Sequence, residues 1–189
     1  ESNRYLKGVE YLEALFHAIL FKRVLKIQYQ PFGSAEEKNW TLHPHYLKQF
    51  NNRWFLFAKN PDFETVSNLA LDRIVSFVEV DLPFVDTDID FEMYFEDILG
   101  VTVPLEAELT KIILHAEPSL APYIQTKPIH GSQKQLSEGP EGSVFSIEVL
   151  PNYELEKHLL SFGEELEVLE PLFFREQLRK KISTLARMY

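Results

Sequence analysis

Short β-prone runs separated by tight turn signals constrain this 189-residue chain more than any other feature. Val24, Leu25, Ile27 and Tyr29 form one run, stopped by Pro31-Phe32-Gly33-Ser34. Trp40-Thr41-Leu42-His43 leads into Pro44, and His45-Tyr46-Leu47-Lys48 follows. Asn51-Asn52 predicts a hairpin turn, because asparagine tolerates the left-handed backbone such turns require. Arg53 to Ala58 is the next strand, Asn60-Pro61-Asp62 the next turn, and strands over 66–71 and 74–80 complete the set. Ahead of them Val9, Leu12, Leu15, Phe16, Ile19 and Leu20 make a helical stripe over 9–22. One helix and then several short strands predict a small, strongly bent sheet or barrel.

Residues 81–94 are acidic and hold no clear period, which predicts a linker with anchoring aromatics and domains over 1–90 and 91–189. Beyond it the pattern predicts strand 106–115, helix 118–125, strands 128–137 and 143–150, helix 152–162, strand 165–170 and helix 172–188. Glu138-Gly139-Pro140-Glu141-Gly142 is the turn between the middle strands. The order βαββαβ is that of a ferredoxin-like sandwich, so the expected class is α+β. The opening Glu1-Ser2-Asn3-Arg4 lacks an initiator Met and predicts a helix almost at once, in a piece of something longer.

Zero cysteines exclude zinc ribbons, iron–sulfur clusters, thiol nucleophiles and disulfides. A formal charge of −10 argues against non-specific grip on a nucleic-acid backbone, which needs neutralising lysines and arginines. The first ninety residues carry ten basic against thirteen acidic side chains, the remainder nine against sixteen. A basic patch able to hold a polyanion is therefore sought in the first half. No apolar run of membrane-spanning length or secretory signal is present.

Asn52-Arg53-Trp54-Phe55-Leu56-Phe57-Ala58, followed by Leu71-Asp72-Arg73-Ile74, places cations, aromatic faces and a carboxylate on one small β-structure. The two segments resemble the WYL domain of bacterial transcriptional regulators, named for a Trp-Tyr-Leu triplet that here reads Trp54-Phe55-Leu56. The second half resembles the WCX extension such proteins carry, with Phe95-Glu96-Asp97-Ile98-Leu99-Gly100-Val101 opening it. The resemblance implies a small SH3/Sm-like β-barrel with a leading helix, then a ferredoxin-like domain with a C-terminal helix. It also implies a pocket of polar and basic side chains, at the matching positions Tyr29, His45, Tyr46, Arg53 and Arg73. Many relatives have an arginine where Ala70 stands, and its absence removes charge-assisted hydrogen bonds of about 1.5–3 kcal/mol each.

The residues themselves leave several readings open. Arg53 and Trp54 are strand neighbours and point to opposite faces, which predicts a core Trp54 and a rim Arg53. Arg73 either pairs with a nearby carboxylate or presents its planar fork to a phosphate or carboxylate ligand. His43 and His45 share a strand face, a spacing that permits two metal ligands, but no third ligand is evident nearby. His45 or Tyr46 donating to an anionic ligand is the better functional reading. On the last helix Leu178, Ile182, Leu185 and Tyr189 form an apolar docking stripe beside Arg175, Arg179, Lys180, Lys181 and Arg187. Glu164, Glu165 and Glu167 read as exposed charges.

No nucleophile elbow, phosphate loop, dinucleotide fingerprint or zinc-protease motif occurs, and no cofactor is implied. Asp86, Asp88 and Asp90 lie in the linker, outside any dry, rigid setting that would shift a pKa. The expectation is the effector-sensing part of a cytoplasmic bacterial transcriptional regulator, not an enzyme. Its effector is a nucleic-acid fragment or nucleotide-like molecule. Duplex DNA is read by a winged helix-turn-helix outside this chain, and the partner is a second copy. The rivals are a purely structural dimerisation module and an unrecognised metal-dependent enzyme resting on His43 and His45.

Overall fold

Strand β1 (Val24–Tyr29) turns Leu25, Ile27 and Tyr29 inward and leaves Lys26 exposed, the alternation of a half-buried strand. It pairs antiparallel on both edges. Leu25 lies opposite Leu42 of β2 (Lys38–Phe50), and Val24 lies opposite Val80 of β5 (Ile74–Val80). Strands β3 (Arg53–Lys59) and β4 (Val66–Ala70) extend the sheet to the order β4-β3-β2-β1-β5. The outermost strands β4 and β5 are joined only by a three-residue 3₁₀ turn, Leu71–Arg73. Two edges so short a link apart require a tightly curled sheet. In this computed structural model residues 6–63 and 65–189 are described, and the predicted helical start over 1–4 lies outside them.

The 13-residue β2 pairs with β1 through its first part and with β3 from His43 onward. Its register slips between Pro44 and Tyr46, a bulge where the strand bends. In sequence Pro44 separates two runs. The chain instead continues through it as one strand, the bulge taking up the missing donor. Asn51 (φ 48°) and Asn52 (φ 58°) form the left-handed hairpin turn expected of them.

Helix α1 (Leu12–Leu20) follows a 3₁₀ turn, Val9–Tyr11, and buries Leu15 and Ala18 against Leu25, Ile27, Leu42, Leu56, Leu69 and Leu71. Phe16 and Leu20, counted in the predicted stripe, are exposed instead. Gly8 precedes the turn at φ 86°, and a Cβ there would lie 2.4 Å from the Leu71 carbonyl carbon. A glycine is needed for the backbone to run this close to the Leu71–Arg73 turn.

The second unit, Glu92–Tyr189, is distinct from the first, Glu1–Phe91. A short helix α2 (Phe91–Tyr94) spans their boundary, and Phe95, Ile98 and Val101 are buried just beyond it. Strands β6 (Thr110–Ala116), β7 (Lys134–Gly139), β8 (Gly142–Val149) and β9 (Leu166–Glu170) form an antiparallel sheet in the order β7-β8-β6-β9. Ile112 faces Ile147 and Leu114 faces Phe145 across it. These side chains pack with Leu120, Ala121 and Ile124 at helix α3 (Ala121–Thr126), with Leu155 and Leu159 of α4 (Tyr153–Leu160), and with Phe174 and Leu178 of α5 (Leu172–Ala186). The Asn152 side chain caps α4 by accepting from Leu155 N at 2.9 Å. The chain is thus α+β, with nine strands and five α-helices among the described residues.

The start of β7 and the burial along α5 differ from expectation for physical reasons. Strand β7 begins at Lys134, not near 128, because side chains hold the preceding loop. Gln133 binds Ile129 N and the Ile124 carbonyl, and Ser132 binds both backbone groups of Glu148. Along α5 the apolar stripe is buried only at Phe174 and Leu178, while Ile182, Leu185 and Tyr189 are exposed. Glu167 is ion-paired with Arg175 at 2.6 Å, and Glu165 accepts from Ser119 at 2.6 Å. Every residue of β7 is exposed, and β7 ends the sheet on one side.

Gly8→Ala should destabilise the first unit by at least about 1 kcal/mol, since it combines a strained φ with backbone overlap. Urea unfolding followed by tryptophan fluorescence measures this, because both tryptophans, Trp40 and Trp54, lie in that unit. An unchanged midpoint would contradict the close approach.

Candidate ligand-binding site

The Leu71–Arg73 turn presents Asp72 and Arg73 where the sheet curls closed. Its base is tied to β1, because Gln30 N donates to the Arg73 carbonyl at 2.9 Å. Tyr29, the last residue of β1, is buried, and its hydroxyl accepts from Ala70 N at 3.3 Å. Burial pushes the Tyr29 phenol above its ordinary range, while the Arg73 cation and the Ala70 amide partly oppose the rise. The hydroxyl therefore stays protonated at neutral pH and can donate as well as accept.

Arg53, at the start of β3, reaches Asp72 with its Nε 3.0 Å from Oδ2. Arg53 is 42% exposed, so this pair is a local orienting contact more than a stabilising one. The other carboxylate oxygen, Asp72 Oδ1, is buried and finds no hydrogen-bond donor among the described residues. Arg73 Nε is likewise buried without an acceptor among them. One turn thus carries an unused acceptor and an unused charged donor, each costly to leave unsatisfied.

Both guanidinium groups meet one ring. The Arg73 Cζ lies 4.2 Å from the centroid of Phe32, and the Arg53 Cζ lies 5.9 Å from it. Phe32 sits in the turn between β1 and β2. In sequence Phe32 is only part of a turn signal; an aromatic between Pro31 and Gly33, where polar residues usually stand, is the available clue. Trp54 packs partly buried against the core, as expected, with Leu56 and Ala58 on the same face of β3.

Tyr29, Arg53 and Arg73 are therefore brought together, whereas His45 and Tyr46 serve a different neighbourhood. Tyr46 pairs with Phe57, four residues along β3 from Arg53, or about 13 Å at strand rise. There Tyr46 stacks on Phe91, ring centroids 4.9 Å apart and planes 8° from parallel. His43 and His45 both pack edge-on against Phe84, at 5.4 and 5.1 Å. Val85 N donates to His43 Nδ1 at 3.0 Å, and Asp86 pairs with Lys22. The acidic stretch read as a linker is thus held along β2 by the very histidines considered as metal ligands. Among the described residues no group of three or more metal-binding side chains occurs.

Burial pushes both imidazoles below their ordinary range. The Lys59 cation adds to this, although Asp86 pulls His45 partly back up. Lys48, beyond Tyr46 on β2, is also pushed down by desolvation.

A family model described as the WYL domain matches residues 10–79, and one described as the WCX domain matches residues 108–186. The chain belongs to the WYL-domain family and carries a WCX domain after its WYL domain. No curated protein matches it. Among solved structures, proteasome accessory factor B/C of Arthrobacter aurescens is 16% identical over 96% of this chain and 27% of that chain, with a TM-score of 0.39. A CRISPR Cas-related protein is 12% identical over 94% of this chain and 50% of that one, with a TM-score of 0.57, and shares the fold. The chain thus spans about a quarter and a half of the lengths of these two proteins. Among the described residues no helix is long and apolar enough to cross a membrane.

Buried neutral histidines link folding to pH. Below about pH 6.5 the unfolded chain takes up protons that folded His43 and His45 do not, so stability falls as pH drops. Tryptophan-detected urea unfolding should show a loss as pH falls below about 6.5 that His45→Gln makes shallower. A flat profile in the wild type would contradict the buried, neutral assignment.

Proposed function

We propose that the chain is the effector-sensing region of a bacterial transcriptional regulator, and that its first unit binds a nucleic-acid fragment or nucleotide-like ligand. The observation that carries this reading is the convergence of Arg53 and Arg73 on one exposed ring, beside buried, unused hydrogen-bonding atoms of Asp72 and Arg73. Arginine forks suit phosphate oxygens. The free carboxylate oxygen of Asp72 suits a donor such as a base amino group or sugar hydroxyl. Tyr29 completes the set from below. His45 and Tyr46, expected at the same site, instead hold the 84–91 segment through Phe84 and Phe91.

In this proposal the WYL domain, 1–90, is an SH3/Sm-like barrel and the WCX domain, 91–189, a ferredoxin-like sandwich. The strand order β7-β8-β6-β9 supports the latter name, and the short closing turn between β4 and β5 supports the former. The ligand acts by binding one arrangement of the regulator better than another, the only way a ligand shifts such an equilibrium. A helix-turn-helix reader outside this chain, a homodimeric assembly and a cytoplasmic setting complete the proposal, with a sensing rather than catalytic role.

Fluorescently labelled single-stranded oligonucleotides and mononucleotides, titrated at several salt concentrations, test the reading. Binding should saturate and weaken with salt. Arg73→Ala should reduce affinity about 10- to 100-fold, the equivalent of about 1.5–3 kcal/mol for a charge-assisted contact. Wild-type protein that ignores every such probe at low salt would leave the structural role as the better description.

A further inference from the structure

We infer that Phe32 is the base-stacking platform of this site, so that the site selects ligands carrying a planar base over bare polyanions. This rests on the ligand reading above and deepens it. Exposure of one phenylalanine carries little by itself, since scattered apolar residues are common on surfaces. Phe32 differs because two cations from separate elements, β3 and the Leu71–Arg73 turn, lie against the same ring. Even so the residue stays 68% exposed, so most of the ring remains open to an incoming group.

The turn that carries Phe32 is already ordered. Gln30 Nε2 donates to the Ser34 carbonyl at 2.5 Å, and Ser34 N donates to the Pro31 carbonyl at 3.3 Å. Glu36 N donates to Ser34 Oγ at 3.2 Å, and Gly33 takes the φ of 79° that the reversal demands. Gln30 N anchors the whole turn to the Arg73 carbonyl. The backbone segments that carry the ring and the guanidinium are thus tied together before anything binds, which lessens the ordering that opposes association.

The division of labour follows from geometry. A guanidinium stacked on a ring keeps its N–H edges in its own plane, where phosphate oxygens can accept from them. The ring's open area meets the π-face that every nucleobase offers, an interaction tolerant of base identity. A ligand with phosphates and no base engages the cations alone. Asp72 holds Arg53 beside the ring.

A thymidine decanucleotide and an abasic deoxyribose-phosphate oligomer of the same length discriminate the two contributions. Wild-type protein should prefer the former. Phe32→Ala should weaken decanucleotide binding by about tenfold while leaving abasic binding unchanged, and Phe32→Trp should restore or exceed wild-type affinity. Tryptophan-detected unfolding verifies that Phe32→Ala remains folded. If Phe32→Ala binds the decanucleotide as wild type does, or loses both ligands equally, the platform assignment falls while the ligand reading stands. If wild-type protein binds neither oligomer, the platform assignment falls, and the ligand reading is decided by the mononucleotide titration.

Discussion

Everything at the candidate site follows from β1 having two partners. A strand paired on one side only would leave β5 free to lie anywhere. The Val24–Val80 and Tyr29–Ile74 pairings instead bring the end of the sheet back to its beginning. With β4 and β5 at opposite edges, the short Leu71–Arg73 link can exist only if the sheet curls until those edges nearly meet. Arg73 is thereby delivered to the end of β1, beside Tyr29, and the β1–β2 turn is delivered to both. Non-local pairing is entropically expensive to form, and a core of Leu25, Ile27, Leu42, Leu56 and Leu69 offsets that cost.

The same closure explains why two adjacent charges behave differently. Asp72 and Arg73 are sequence neighbours, and the obvious pairing would join them to each other. Being consecutive in a 3₁₀ turn, they diverge. Asp72 instead takes Arg53 from β3, and Arg73 takes the Phe32 ring. The result is an arginine whose charge is balanced loosely and whose Nε is left without an acceptor among the described residues. Such a group is expensive to bury, which is why the proposal gives it to a ligand and not to the scaffold.

Much of the architecture could be read from residues alone because its causes are local. Asn51-Asn52 demanded a left-handed turn, and Leu25, Ile27 and Tyr29 alternated as a half-buried strand must. The antiparallel strands of the second unit were readable from their apolar periodicity, and their edges were not. Lys134 rather than 128 begins β7 because Gln133 and Ser132 bind backbone groups distant in sequence. At the site, Tyr29, Arg53 and Arg73 were legible through resemblance, since type and position suffice for that. Phe32 was not, because its meaning lies in cations that arrive from positions 53 and 73. The contact of His43 with Val85 spans 42 positions, so no local pattern could separate a strand-end histidine from one that holds a distant backbone amide.

The solvent-facing margin formed by β7 has a bearing on how the molecule behaves in a crowded cell. A bare strand edge is a template on which another polypeptide's backbone can zip up. Here the exposed strand reads Lys134-Gln135-Leu136-Ser137-Glu138-Gly139, with charges of both signs, a single aliphatic side chain and a terminal glycine. Its pairing with β8 also slips register between Gln135 and Ser137, which kinks the edge. A foreign strand would find neither a flat backbone nor an oily face to register against, so the open flank is defended by its own composition.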